Sequence, residues 1–264
     1  MTPDAATLDP RTTLARPDLA EQALEGLVRA AAYRPVQPMQ GAVPLADIHA
    51  DVDPASERID QLIFGEAFDV LDRQGDRLWG RARRDGLVGW IAASALRPGA
   101  RLPTHRVAAV AAGLPLNALV IESADVSPDD LAPIGAFDSD PVAVAERLLG
   151  VPHSLGARSS TATDCSGLIQ QALYACGLAG PRHADQQAEL GHAVDRADVR
   201  RGDLVVWLAE PGDHSWTGHS AFMLDADRVL HATGHHGAVV IEAFAEADAR
   251  YRADGFHAPV FRRL

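Results

Sequence analysis

The chain has 264 residues, about twice the commonest size of a single domain, so two compact units are expected. Because 47% of the residues are hydrophobic and 23% are charged, there is ample apolar material for a core, and a mainly disordered state is excluded. The 24 basic residues are all arginines and face 36 acidic residues. The net charge of −12 argues against nucleic acid or an anionic membrane as the main partner, and the absence of lysine excludes Schiff-base chemistry.

The N-terminal part predicts a helix followed by a small barrel. Residues 18–32 carry apolar side chains at helical spacing behind Pro17, so we expect a helical arm within 1–42. From 43 to 98 the chain consists of short alternating segments separated by turn signals, the strongest of which is RDG at 84–86. This pattern predicts a small antiparallel barrel, with Trp79 and Trp90 as its anchors.

Four short motifs mark the barrel segment, namely FGE at 64–66, Trp79, DGLVGWI at 85–91 and AL at 95–96. Together they resemble the bacterial SH3-like barrels that are attached to cell-wall peptidases. In such proteins a second barrel often follows, and residues 99–138 occupy its place. This segment is short and rich in proline, so it is expected to be a connector or a degenerate second SH3-like barrel.

The region 139–264 predicts an α+β domain. Asp140 and Pro141 open a helix that Gly150 closes, and a second helix runs from about Asp164 to Cys176. Candidate strands follow at 203–208, 219–224, 228–232, 238–244 and 259–263. Helices followed by antiparallel strands are typical of the α+β class.

Cys165 falls in the first turn of the second helix, where unpaired N–H groups and the helix dipole favour a thiolate. We therefore expect its pKa to be lowered and its sulfur to be a nucleophile. Cys176 lies on the apolar face near the end of the same helix and is interpreted as a small buried hydrophobe. Since eleven residues of helix rise about 16 Å, the two cysteines are too far apart for a disulfide and both are expected to be free.

A nucleophilic cysteine needs an imidazole, and nine of the eleven histidines lie from His153 onward. If Leu224 pairs with Arg228 in a hairpin, Ala221 opposes His231, and His219 lies diagonally from His231 on the same face. His219 is then the candidate general base and His231 the group that orients it. A metal site remains an alternative if His214 and His219 converge, or if His231, His235 and His236 do.

Four motifs stand in a characteristic order, namely DCSGL at 164–168, RGDLVVW at 201–207, GH at 218–219 and LHA at 230–232. In this order they resemble the NlpC-type peptidases, over roughly 140–264. The resemblance implies a papain-like NlpC catalytic domain at 139–264, preceded by the SH3-like barrel at 43–98. It also implies Cys165 as nucleophile, His219 as base and His231 as the third residue. No cysteine or carboxylate spacing completes a recognised metal site, so no cofactor and no metal are expected.

The resemblance also implies a substrate. Family members with SH3-like barrels often cleave the γ-D-glutamyl bond to a diamino acid in peptidoglycan stem peptides. Several bind a free N-terminal L-alanine, with help from the aspartate before the cysteine, here Asp164. The expected substrate-binding residues are Asp164, Ser166, His153, Arg182 and His183. His153 stands where relatives have a tyrosine, and the Arg182-His183 segment has histidine where many relatives have a pocket aspartate, so an altered selectivity for the substrate's end group is expected.

Two other readings stay open, a catalytically silent module that binds wall fragments or a protein, and a papain-like amidase or acyltransferase. Residues 1–6 show neither a basic nor an apolar leader segment, and the longest uncharged stretch, 107–121, is too short to span a bilayer. We therefore expect a cytoplasmic enzyme of murein peptide recycling. Its partners would be peptidoglycan stem peptides, with neither nucleic acid nor membrane, and its oligomeric state is left open.

Overall fold

The computed structural model describes residues 8–121, 126–210, 212 and 216–264. In the N-terminal arm, β1 (Ala20–Glu21) pairs in parallel with β2 (Tyr33–Arg34), and a 3₁₀ turn at Gln22–Leu24 lies between them. The predicted helix over 18–32 is therefore wrong. Leu14 and Leu19 are instead buried against Trp79 and Trp90, so the apolar side chains of the arm cover the barrel as an extended strap.

The barrel is a seven-stranded antiparallel sheet, and it begins earlier than residue 43. Its strands are β3 (Gln37–Gly41), β4 (Leu45–His49), β5 (Arg58–Ile63), β6 (Ala67–Gln74), β7 (Arg77–Ala82), β8 (Val88–Ala92) and β9 (Leu96–Pro98). They are arranged in the order β5-β4-β8-β7-β6-β3-β9. The predicted RDG turn joins β7 to β8, with Gly86 at a φ of +85° that favours glycine.

Both barrel tryptophans are buried, but not in the barrel interior. Trp79 lies directly opposite Trp90 in the β7–β8 pair. Because side chains alternate along a strand, neighbouring Leu78 and Ile91 point to the opposite face, where they join the barrel core. The two tryptophans therefore hold the N-terminal arm against the outside of the sheet.

Residues 99–138 form a small sheet of their own. Its strands β10 (His105–Val107), β11 (Leu119–Val120) and β12 (Leu131–Pro133) are ordered β11-β10-β12, and all pairs are antiparallel. Val107 and Ala118 pack with Ile63 of the barrel. Asn117 takes a φ of +66° and donates from Nδ2 to the backbone and side-chain oxygens of Gln171, at 2.9 and 2.8 Å. The small sheet is thus fixed both to the barrel and to the helix that carries Cys165.

The C-terminal domain has the predicted α+β order. Its helices are α1 (Pro141–Glu146), α2 (Cys165–Ala175), α3 (Ala184–Gln187) and α4 (Phe244–Ala253). Its strands are β13 (His192–Ala193), β14 (Leu204–Leu208), β15 (Gly218–Met223), β16 (Arg228–Thr233), β17 (Ala238–Ala243) and β18 (Val260–Arg263), in the order β13-β18-β14-β15-β16-β17. The sequence predicted α1, α2 and five of these strands, whereas it missed α3, α4 and β13.

Helices cover both faces of the C-terminal sheet. The helices α1 and α2 pack on one face through a core that includes Leu148, Leu168 and Phe222. The other face buries Trp207 with Ala247 and Tyr251, the last two from α4. No helix among the described residues is both long and apolar enough to cross a lipid bilayer.

A buried charge cluster joins the barrel to the C-terminal domain. The Arg158 side chain is fully buried, and its guanidinium donates to Asp60 at 2.9 Å and to Glu66 at 2.6 and 3.1 Å. Both carboxylates belong to the barrel, and Arg158 precedes the nucleophile helix by one short loop. Because a buried charge is costly unless it is paired, this cluster holds the two domains in one arrangement at the active-site end.

Candidate active site

Cys165 is the first residue of α2, and Asp164 is its N-cap. The following glycine lets the helix begin close to the preceding loop. A Cβ atom at Gly167 would lie 2.4 Å from the carbonyl oxygen of Ala157 and 2.9 Å from Oγ1 of Thr163. The DCSGL motif therefore places the cysteine at the rim of a tightly packed junction, where the Cys165 side chain is partly exposed in a cleft of about 230 Å³.

The structure contradicts the expected thiolate. Burial and the negative charge of Asp164 together raise the pKa of Cys165 to about 12, because they outweigh the backbone N–H groups of Ser220 and Ser166. The prediction of a lowered pKa is wrong because burial disfavours the thiolate, and the charge of the aspartate that caps the helix adds to this effect. Cys165 is a neutral thiol at neutral pH and needs a base to remove its proton.

Both cysteines are free, as predicted. Cys176 caps the C-terminal end of α2 and packs against the core between the helices and the sheet. Burial raises the pKa of Cys176 to about 11. The interpretation of Cys176 as a packing residue is consistent with this position.

The two candidate histidines meet as the hairpin register predicted. Phe222 pairs with Leu230 and Met223 with Val229, so the same register places Ala221 opposite His231. Nε2 of His219 lies 2.7 Å from Nδ1 of His231. Both rings are buried, and His219 lines the same cleft as Cys165. Burial lowers the pKa of both histidines, and the neighbouring His231 lowers that of His219 further, so both rings are neutral at neutral pH.

The contacts around the two imidazole rings determine which nitrogen of His219 can accept a proton. Because Nε2 of His219 is engaged with His231, only Nδ1 is left to accept the proton of Cys165. Neutral His219 then carries its hydrogen on Nε2 and donates it to Nδ1 of His231, which places the hydrogen of His231 on Nε2. This tautomer assignment follows from the contacts.

Two further residues complete the surroundings of the histidine pair, and the sequence analysis missed both. Oε1 of Glu242 lies 2.6 Å from Nε2 of His231, an ion-pair distance, although the approach is not along the direction of an ideal hydrogen bond. The hydroxyl of Tyr251 lies 3.0 Å from Nε2 of His219, and the two rings stack with centroids 4.2 Å apart.

The two missed residues differ in how far the sequence could have revealed them. Glu242 pairs with Val229, two residues before His231, so the alternation along β17 contains a signal for it. Tyr251 comes from α4, which the sequence did not predict. Contacts with His231 and Arg250 lower the pKa of Glu242 despite its burial, which keeps it ionised.

The carboxylate of Asp164 is engaged by partners within the protein. It accepts hydrogen bonds from the backbone of Gly167 at 2.8 Å and Gly156 at 2.9 Å. It also forms an ion pair with Arg182 at 2.6 Å, and Arg182 donates to Ser166 at 2.7 Å. The helix-cap role of Asp164 is confirmed, whereas the amine-binding role meets a carboxylate that Arg182 already occupies.

All five expected substrate-binding residues, His153, Asp164, Ser166, Arg182 and His183, line the cleft with Cys165 and His219. Burial lowers the pKa of His153, and burial together with Arg182 lowers that of His183 to about 4. Both imidazoles are therefore neutral at neutral pH. The barrel supplies one wall of the cleft through residues 57–59.

The metal alternative has little geometric support. His214 lies outside the described residues. Within the described part of the chain, no group of three or more histidine, cysteine, aspartate or glutamate side chains is placed to hold a metal ion. His231 is engaged with His219 and Glu242, while His235 and His236 pack against each other.

Comparison with known families agrees with this geometry. Residues 150–256 match the NlpC/P60 family, and residues 48–96 match the bacterial dipeptidyl-peptidase SH3 domain. The chain carries an NlpC/P60 domain behind an SH3-like domain. The cysteine, the histidine pair and the charged cleft described above all lie within or against this NlpC/P60 domain.

Similar proteins are found among curated relatives and solved structures. A probable endopeptidase of Haemophilus influenzae is 32% identical over 91 residues, which cover 34% of this chain and 55% of that protein. The γ-D-glutamyl-L-lysine dipeptidyl-peptidase of Bacillus subtilis is 30% identical over 104 residues, covering 39% of this chain and 31% of that protein. The chain thus spans about half or less of these relatives' lengths.

One solved structure, an NlpC/P60 family protein from Bacillus cereus, superposes with a TM-score of 0.71 and 16% identity. The match covers 86% of this chain and 99% of that chain. At this identity the comparison establishes the shared fold, which extends through the barrel as well as the NlpC/P60 domain.

Proposed function

We propose that the protein is a cysteine peptidase that hydrolyses the γ-D-glutamyl–diamino acid bond of peptidoglycan stem peptides. The observation that carries the proposal is the His219–His231 pair, 2.7 Å apart and buried, in the cleft that Cys165 lines. The named activities of the Haemophilus and Bacillus subtilis relatives support hydrolysis of a peptide, and the latter supports this bond.

The chemistry begins from a neutral pair. Because the pKa of Cys165 is raised and that of His219 is lowered, the two groups rest as a neutral thiol and a neutral imidazole. The thiol proton passes to Nδ1 of His219 only as Sγ attacks the carbonyl carbon of the γ-glutamyl group. The imidazolium so formed donates from Nε2 to His231. Glu242, 2.6 Å from the far side of His231, stabilises the positive charge that develops on the histidine pair.

The second half of the cycle returns the proton. The oxyanion of the tetrahedral intermediate is stabilised by the backbone N–H of Cys165 at the helix start. The bond to the leaving nitrogen then breaks as His219 donates its proton to the departing amine, and an acyl-enzyme remains on Cys165. Water deprotonated by His219 attacks this thioester, which releases the γ-glutamyl product and restores the thiol.

The cleft suits a short peptide. It encloses about 230 Å³ between the NlpC/P60 domain and residues 57–59 of the barrel. This size favours stem peptides over folded proteins as substrates. The role in recycling and the cytoplasmic location stay predictions, which fractionation of cells and analysis of their soluble wall peptides would test.

The deciding experiment is incubation of the purified protein with stem peptides that contain the γ-D-glutamyl–diamino acid bond, followed by mass spectrometry. The panel includes diaminopimelate and lysine peptides with free and acylated N-termini. We expect a new diamino-acid amine in the products of the wild type and of Cys176→Ala, and none with Cys165→Ala. Binding without cleavage throughout the panel would indicate a silent module, and cleavage at another bond would indicate an amidase.

A further inference from the structure

The carboxylate of Asp164, next to Cys165 in the chain, has no unused hydrogen-bond acceptor site. Oδ1 of Asp164 accepts from Ser166 Oγ at 3.3 Å, Gly167 N at 2.8 Å and Arg182 Nη1 at 3.1 Å. Its Oδ2 accepts from Gly156 N at 2.9 Å and Arg182 Nη2 at 2.6 Å. A carboxylate offers about four lone-pair sites, and five donors already share them. A substrate ammonium placed here would find no free acceptor.

Arg182 is built into the protein rather than resting on its surface. It is 3% exposed, and its Nε lies 3.0 Å from Asp60 of the barrel. Nε also donates to the backbone oxygen of Ile59 at 3.1 Å. The guanidinium therefore stays in place when a substrate arrives, and its positive charge would repel an ammonium group.

Among the described residues, the cleft has no second buried carboxylate in its lining. Its other acidic lining residue, Glu57, is exposed, so solvent screens its charge. The lining histidines His153 and His183 have lowered pKa values and are neutral at neutral pH. Since burying an ammonium without a partner is costly, the floor of the cleft selects against a free amine.

His183 is suited to an uncharged amide. It is 7% exposed and lines the cleft, and its Nε2 has no hydrogen-bond partner among the described residues. A buried polar atom left without a partner loses free energy that a ligand can restore. A neutral imidazole nitrogen can pair with the oxygen or the N–H of an amide group, and neither pairing requires a charge on the ligand.

The cleft also continues beyond His183. A second cavity, of about 500 Å³, shares four lining residues with the catalytic cleft, namely Ile59, His183, Trp216 and Thr217. Leu87 and Val88 of the barrel also line it, together with the charged residues Arg11, Asp185 and Glu210. The second cavity, beyond His183, can therefore accommodate a group attached to the N-terminal nitrogen of the peptide.

From these observations we infer that the protein acts on stem peptides whose N-terminal alanine nitrogen is acylated, and disfavours peptides with a free amine. The amide formed by that nitrogen meets His183, and the acyl group extends into the second cavity. This inference rests on the proposed function and names the substrate class for it.

The test is a matched pair of substrates, L-Ala-γ-D-Glu-diaminopimelate and the same peptide acetylated on alanine, given separately to the wild-type protein. We expect kcat/KM to be at least about tenfold higher for the acetylated peptide, because the free amine must lose its hydration without gaining a partner. Equal rates, or faster cleavage of the free peptide, would overturn the inference and leave the proposed function intact. Cleavage of neither would overturn both.

Arg182→Gln provides a second measurement, because it removes the positive charge and returns acceptor sites on Asp164. We expect the preference for the acetylated peptide to fall by about tenfold. Arg196→Gln, at an exposed guanidinium of another region, is the matched control and should keep the wild-type preference. An unchanged preference in a folded Arg182→Gln protein would contradict the role given to Arg182. If that variant does not fold, the wild-type substrate pair decides the matter alone.

Discussion

Glu242 lies 2.6 Å from Nε2 of His231, at the end of a chain of side chains that leads back through His219 to Cys165. It is held in turn by the guanidinium of Arg250, 3.1 Å from its second oxygen. The carboxylate touches no reacting atom, so it is a positioning residue. Its charge can stabilise the imidazolium that forms on the histidine pair and hold His231 in the tautomer that accepts from His219.

Glu242→Gln should lower kcat by about tenfold or more and leave KM nearly unchanged, because the loss concerns a charge that develops only during the reaction. The carboxylate raises the pKa of His231, so its removal should move the acid limb of kcat/KM to lower pH. Steady-state kinetics from pH 5 to 9 measure both effects. Glu246→Gln, at an exposed position of α4, is the control. A wild-type kcat with an unshifted pH profile would show that Glu242 has no part in catalysis.

Alkylation of Cys165 by iodoacetamide should be slow at pH 6 and should rise by about tenfold per pH unit towards pH 9, since only the thiolate reacts. The reason is the pKa of Cys165, which burial and Asp164 raise to about 12. Cys176→Ser isolates the signal of Cys165, and free cysteine gives the reference rate. Fast labelling that does not change between pH 6 and pH 8 would instead demonstrate a preformed thiolate–imidazolium pair.

His183 should make the folded protein less stable in mild acid. Burial and Arg182 lower its pKa from 6.5 to about 4, so the unfolded chain binds a proton between these values that the folded protein does not. Stability therefore rises with pH in this window and falls as the pH drops below 6.5. Through His183 alone, the free energy of unfolding falls by about 2 kcal/mol between pH 7 and pH 5.

Urea unfolding of wild type and His183→Gln at pH 7 and pH 5 measures the contribution of His183 to the pH dependence of stability. Between pH 7 and pH 5, the free energy of unfolding of His183→Gln should fall by about 2 kcal/mol less than that of the wild type. His192→Gln removes an exposed histidine and serves as the control. Identical losses in wild type and His183→Gln would refute the assignment.

Arg158→Met should destabilise the protein by about 3–5 kcal/mol, because it removes the fully buried guanidinium that Asp60 and Glu66 share and leaves them only Arg182 and Arg84 as partners. Arg201→Met is the matched control, since its ion pairs with Asp140 and Glu146 are at the surface, and it should cost at most about 1 kcal/mol. Urea unfolding checks both values. A loss for Arg158→Met as small as that of the control would show that the charge cluster does not hold the domains together.

Gly167→Ala should reduce stability by about 1–3 kcal/mol and lower activity as well. The added Cβ would lie 2.4 Å from the backbone oxygen of Ala157, which cannot move without shifting the loop before α2. Cys165 would shift with it. Gly234→Ala is the control, because its Cβ would make only an ordinary contact of 3.6 Å with His153. Unfolding curves and peptide cleavage by both variants test the prediction, which full activity in Gly167→Ala would contradict.

Local patterns were enough for several features of the site. The cap at Asp164 placed Cys165 at the start of α2, and alternation along the β15–β16 hairpin placed His219 diagonally from His231. Both features depend on residues fewer than twenty positions apart, where the period of a helix or a strand determines which side chains are neighbours.

Other features depend on contacts between distant segments. Residues 18–32 have a helical apolar period, but the leucines that pack against Trp79 and Trp90 of the barrel are Leu14 and Leu19, while Leu27 is exposed. Likewise α4 has a weak apolar pattern of its own, and it brings Tyr251 to His219 through packing on the sheet. A period in the sequence indicates one buried face, and it does not say which distant surface buries it.

The sequence by itself determined the family resemblance, the order of nucleophile and base, and the register that joins the two histidines. Only the tertiary structure decided that the thiol of Cys165 is neutral and that Arg182 occupies Asp164. Burial and charge pairing are sums over all atoms that surround a group. For this site those atoms come from the barrel, the loop before α2 and the sheet, which are brought together only when the chain is folded.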